Sequence, residues 1–137
     1  MGVAFYPVFE DDSSSWAEYI VGKCLARAAD EFGKPCRKAS LPTLYDFFSM
    51  TRADMIAELL GGDPDDPTTF DAAKIPEEHW FDAASGLKTV RCLLEFVRPK
   101  IASTPEYRCA CDDLEAFERN LIKAAEQNVR WHLAIDC

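Results

Sequence analysis

The sequence predicts a helix-dominated α+β protein, with five or six helices packed on a small antiparallel sheet formed by the N- and C-terminal strands. Three observations carry this expectation. Val3-Ala-Phe-Tyr-Pro-Val-Phe9 is short and rich in β-formers. Val129, Trp131, Leu133, Ile135 and Cys137 alternate with Arg130, His132, Ala134 and Asp136, the period of a half-buried strand with His132 on the wetter face. Between these ends, apolar residues recur at steps of three and four. A length of 137 residues suits a single globular domain, residues 1–137.

The first strand carries Pro7, which cannot donate to a ladder and so belongs on an edge or at a bulge. Ser15-Trp-Ala-Glu18 has the spacing of a capping box. It predicts a helix to about Phe32, with Trp16, Ile20, Cys24, Ala28 and Phe32 on one buried stripe, Gly33 as its cap and Pro35 as its stop. Ser40 is placed to cap a short second helix with Pro42 in its first turn, directing Leu44, Phe47 and Phe48 inward. Thr51-Arg-Ala-Asp54 repeats the capping logic for a third helix, which holds Met55, Ile56, Leu59 and Leu60 and ends at Gly61-Gly62.

A loop rich in Pro and Asp follows, to about Ile75. Pro76-Glu-Glu-His-Trp80 reads as one helical turn anchoring Trp80 and Phe81. Leu87, Val90, Leu94, Val97 and Ile101 mark an amphipathic helix that Pro99 ends or kinks. Leu114, Phe117, Leu121 and Ala125 mark another from Asp112 to Gln127, with Asp112, Asp113 and Glu115 at its positive end and Asn128 as a left-handed cap. An isolated two-stranded ribbon is marginal, so helices or a second copy must cover it. Unpaired strand edges thus leave room for a homodimer.

Fifteen Lys and Arg against 24 Asp and Glu give a net charge of 15 − 24 = −9. This argues against nucleic-acid or anionic-membrane partners, which require a basic face. No apolar run is long enough to span a bilayer. The first residues lack a basic segment before an apolar one, and Tyr6 breaks the Met1-Gly2 myristoylation pattern, so the cytoplasm is the expected compartment. There the six cysteines (Cys24, Cys36, Cys92, Cys109, Cys111 and Cys137) are expected as reduced thiols.

No phosphate-loop, dinucleotide, nucleophile-elbow or zinc-protease motif is present, so no cofactor and no catalytic residue is assigned. Cys109-Ala-Cys111, with His132 and Cys137, offers soft ligands at a spacing that does not suit zinc; the pair could also be redox-active ahead of a helix, but free thiols are the favoured reading. His79 and His132 are candidates for pairing with a thiol, without a context that positions a nucleophile. Asp63, Asp65 and Asp66 supply oxygen ligands but lack the calcium-loop pattern. Residues 61–78 hold six acids (Asp63, Asp65, Asp66, Asp71, Glu77 and Glu78) against Lys74, a local charge of 1 − 6 = −5. That makes the segment an interaction surface first.

Gly2-Val-Ala-Phe-Tyr-Pro-Val8, Gly22-Lys-Cys-Leu-Ala-Arg27, Leu44-Tyr-Asp-Phe-Phe-Ser49, the run from Trp80 to Arg91, and Leu114-Glu-Ala-Phe-Glu118 through Asp136 resemble a group of small bacterial proteins of uncharacterised function. The resemblance covers most of the chain and brings no assigned chemistry. Small acidic proteins of this kind look like immunity proteins or antitoxins, which occlude a toxin's active site. The expected function is therefore inhibition of a basic protein partner, with Asp63, Asp65, Asp66, Asp71, Glu77, Glu78 and Trp80 on the contact surface. The alternative is a small enzyme or ligand-binding protein with a pocket between the helices and the terminal strands.

Overall fold

A computed structural model describes residues 3–11 and 16–136. The chain divides into two compact units, residues 1–48 with 80–137, and residues 49–79. The first unit holds β1 (Ala4–Phe9), α1 (Lys23–Lys38), α3 (Ala83–Val97), α4 (Glu106–Glu126) and β2 (Trp131–Asp136); the second holds the short α2 (Arg52–Asp54). The architecture is helix-dominated α+β with a two-stranded antiparallel sheet of the terminal strands, as expected. Among the described residues there are four α-helices rather than five or six, because the predicted second helix is a single 3-10 turn at Leu44–Phe47 and Pro76–Trp80 is not helical.

β1 and β2 pair from Ala4 with Asp136 to Phe9 with Trp131. Glu10 N–H donates to Arg130 O at 2.9 Å, so even-numbered β1 residues turn their backbone groups to β2 and odd-numbered ones turn them outward. Pro7 falls on an outward position, where no ladder donor is missing. Phe5, also outward, donates to Gly22 O at 3.0 Å. The far edge of β2 is occupied by single bridges to Phe81 and Phe48, so Phe48, predicted to point inward, is drawn to the sheet and left 37% exposed.

The first helix departs most from expectation. It begins at Lys23 and not after Ser15, which lies outside the described residues. Two tertiary features override the four-residue periodicity. Buried Asn120 of α4 accepts from Glu18 N–H at 2.9 Å and donates to Glu18 O at 3.0 Å, taking the groups a helical Glu18 would use within its own helix. Gly22 is left-handed at φ 72°, and a Cβ there would collide with the Phe5 carbonyl. At its other end the helix runs through Gly33 and Pro35, because Phe32 and Cys36 are both buried against the core. Its stop is a Schellman turn: Leu41 N–H donates to Cys36 O, Ser40 N–H donates to Arg37 O, and Ser40 has φ 57°.

α4 starts two turns earlier than predicted and therefore contains Cys109 and Cys111. Its left-handed Asn128 (φ 55°) is where the sequence puts it, and α3 gives way at Arg98–Lys100 as Pro99 requires. The core buries Leu25, Phe32, Val90, Leu93, Leu94, Val97, Leu114, Phe117, Leu121, Trp131 and Leu133. His132 is buried too, at 1% exposure, contrary to the alternation, because the Trp80 ring lies 4.8 Å from its imidazole.

In the second unit Thr51 caps α2 by accepting from Asp54 N–H at 3.1 Å. The helix then widens into a π turn at Met55–Leu59. That turn keeps Met55 and Ile56 inside with Ile75, but leaves Leu59 64% and Leu60 38% exposed. His79 N–H donates to Ser49 Oγ at 2.8 Å, tying the two ends of the unit together.

Gly86 of α3 faces the Trp131 indole so closely that a Cβ would overlap the ring. Gly86→Ala is expected to cost roughly 2 to 3 kcal/mol through overpacking against a side chain that has no room to move, measured as the shift in a urea unfolding curve.

Candidate functional site

The predicted contact residues fall in both units: the six acids in residues 49–79 and Trp80 in the other. The acids owe their arrangement to local turn chemistry. Asp63 accepts from Asp65 N–H at 3.0 Å. Asp66 accepts from Thr68 N–H at 3.0 Å and from the Thr68 hydroxyl at 2.7 Å. Asp71 accepts from Ala73 N–H at 3.0 Å. Each is an Asx-type cap on a one-turn segment, which is why this stretch of Pro and Asp holds a definite shape without regular structure. Donation by Thr68 holds the Asp66 carboxyl below its ordinary range, so it stays ionised.

Residues 49–79 as a whole contain eight acids (the six above with Asp54 and Glu58) and two bases, Arg52 and Lys74, giving 2 − 8 = −6. The rest of the chain holds 13 bases and 16 acids, 13 − 16 = −3. The charge imbalance is thus concentrated in the smaller unit, the same unit that exposes Leu59 and Leu60. Beside these leucines, Met55, Lys74, Ile75 and Pro76 frame a recess of about 30 Å³. The unit therefore carries both of the ingredients of a protein interface, exposed aliphatic area and charge.

The larger unit holds a second arrangement that the sequence did not disclose. Cys24, in the first turn of α1, is joined by a disulfide to Cys109, in the first turn and a half of α4. The expectation of reduced thiols fails for this pair, because the fold brings together two residues 85 positions apart. Closing a loop of that length is worth roughly 4 to 5 kcal/mol of chain entropy. Asp113, one turn after Cys109, reaches back to α1 and accepts from Leu25 N–H at 3.1 Å and from Gly22 N–H. It therefore caps α1 and not α4. The Cys24 and Cys109 sulfurs and an Asp113 oxygen lie within 4.8 Å of one another. Burial pushes the Asp113 carboxyl up, against those two backbone bonds.

The disulfide forms part of the wall of a cavity of about 560 Å³, shared with Arg27, Glu31, Glu106 and Tyr107. The Tyr107 hydroxyl donates to Glu31. The other described cysteines are of a different kind. Cys36 and Cys111 are buried and Cys92 is half-buried, and burial raises all three thiols, Cys36 to about 11. Cys111, two residues from Cys109, is not its partner and donates to Glu115 at 3.4 Å. Of the expected histidine sites, His132 has its Nδ1 3.0 Å from the Leu133 carbonyl beneath Trp80. Cys137 lies outside the described residues.

Hydrogen bonding to Glu31, followed by burial, raises the Tyr107 hydroxyl to about 12. In a spectrophotometric titration, the tyrosinate signal that Tyr107→Phe removes should appear only near pH 12, above that of an ordinary tyrosine. Among the described residues no helix is long and apolar enough to cross a membrane. Comparison with known proteins finds no matching family model, no similar curated protein and no similar solved structure.

Proposed function

We propose that the protein is a binding protein of the immunity or antitoxin type, occluding a partner with a basic surface, and that residues 49–79 form the docking face. One observation carries the reading: six of the nine net negative charges sit in this unit, which also holds two leucines that the fold leaves in solvent. The negative field accelerates encounter with a basic partner. Leu59 and Leu60 supply apolar area for the centre of the contact. Asp63, Asp66 and Asp71 are already fixed by their caps, so little ordering entropy is lost on binding. Asp65, Glu77 and Glu78 complete the charged rim, and Trp80, next in the chain after His79, is included as the aromatic at its end.

A second reading, binding of a small molecule with or without chemistry, is favoured by the cavity of about 560 Å³ and the titratable groups in its wall.

The test uses the full chain as bait in an extract of its source organism at low salt, followed by association kinetics with the recovered protein. The expected partner is basic. Combined Asp63→Lys, Asp65→Lys and Glu77→Lys substitutions should slow association roughly tenfold or more at low salt, with the difference shrinking as salt is added. Leu59→Asp should leave stability within about 0.5 kcal/mol, since the residue is exposed, while abolishing capture. Unchanged association by both variants would overturn the assignment of this face.

A further inference from the structure

We propose that Cys24–Cys109 is a redox-active disulfide, a site at which low-molecular-weight thiols reversibly open the link between α1 and α4. This is independent of the docking face, which lies in the other unit.

Several observations converge on it. The disulfide is reachable, because it borders a cavity of about 560 Å³, large enough for a small thiol. Its two residues are unequal: Cys109 is exposed and Cys24 is half-buried, so the attack is assigned to Cys109, with Cys24 as the leaving group. Both cysteines sit at the start of their helices, Cys24 second in α1 and Cys109 fourth in α4, where the positive helix end stabilises the thiolates that exchange produces. A carboxylate lies beside the pair, with the Asp113 oxygen within 4.8 Å of both sulfurs, held there by the Leu25 and Gly22 backbone. Of the remaining described thiols, Cys36 and Cys111 are buried, and the half-buried Cys92 donates to the Pro35 carbonyl at 3.7 Å, which favours exchange at this pair.

The chemistry balances with thiols alone. A thiolate attacks Cys109 Sγ; a sulfur–sulfur bond forms there as the Cys24–Cys109 bond breaks. The electron pair leaves on Cys24 Sγ, which takes up the proton that the incoming thiol gave to solvent. A second thiolate attacks the outer sulfur of this mixed disulfide and releases Cys109 as a thiolate, which is protonated in turn. The protein gains two electrons and two protons, and two thiols become one small-molecule disulfide. In the reverse direction Asp113 accepts the proton of Cys24, so that its thiolate can displace the small thiol from Cys109.

The experiment equilibrates the native full-length chain in mixtures of reduced and oxidised glutathione, followed by acid quench, alkylation and peptide mapping. The expected result is full interconversion of the Cys24–Cys109 link with the protein folded throughout, Cys36, Cys92 and Cys111 remaining unmodified by glutathione. Cys24→Ser should trap glutathione on Cys109 about tenfold faster than Cys109→Ser traps it on Cys24, reflecting exposure and access. Asp113→Asn, checked for a native circular dichroism spectrum, should re-form the disulfide roughly tenfold more slowly. Wild-type protein whose link resists glutathione until the chain is denatured would overturn the proposal. So would wild-type cysteines that stay reduced in oxidised glutathione. An Asp113→Asn rate equal to wild type would overturn the proton role given to Asp113.

Discussion

Trp131 is the side chain on which the larger unit depends. Its indole is fully buried, stacks on Phe47 at 5.0 Å and meets the edge of Phe117 from α4. Its Nε1–H donates to the Asp82 carbonyl at 3.3 Å, at the start of α3. Its backbone exchanges two hydrogen bonds with Phe81, and it is the register partner of Phe9 in β1. One residue thus fixes the entry of α3, the 3-10 turn, the face of α4 and the register of the sheet. Gly86 is the complement of this packing, since any side chain there would displace the ring. A two-stranded sheet, marginal alone, persists because its inner strand carries this anchor and has its far edge occupied.

The second organising device is the use of α4 side chains to shape chain that precedes α1. Asn120 satisfies both backbone groups of Glu18. Arg119 grips the Glu18 carboxylate through two contacts of 2.8 Å, and Asp113 caps α1. These contacts hold residues 16–22 out of helix at modest cost, because each buried polar group has a partner; among the described residues no buried side-chain nitrogen or oxygen lacks one. The same proximity brings Cys109 to Cys24. The disulfide and the altered helix start are therefore two consequences of one alignment, the first turn of α1 against the early turns of α4.

The two candidate sites have opposite physical characters. The acidic unit keeps its charge in water, where it acts at long range and costs no desolvation, and the same unit exposes Leu59 and Leu60. The cavity beside Cys24–Cys109 works at short range: a reachable sulfur, a less accessible one at a helix start, and a partly buried carboxyl held by backbone donors. Diffuse charge suits recognition of a protein surface, and concentrated, directed groups suit covalent exchange with a small molecule.

Patterns that depend on neighbours in the chain were legible in the sequence. Period-two alternation marked β2, Pro7 marked an edge position, Thr51 and Asn128 marked helix ends, the three- and four-residue steps marked α3 and most of α4, and the run of Asp and Glu located the acidic segment. Each records a local preference that tertiary contacts left intact. The start of α1, the burial of His132, the exposure of Leu59 and Leu60, and the pairing of Cys24 with Cys109 were decided by the tertiary structure. In every one of these the outcome turns on another part of the chain or on the turn geometry: Asn120 and Phe5 for α1, Trp80 for His132, the π turn for the leucines, and the α1–α4 alignment for the cysteines. Periodicity says which face of an element is apolar. What comes to lie against that face, and so which thiols meet and which imidazole is covered, is set only by packing.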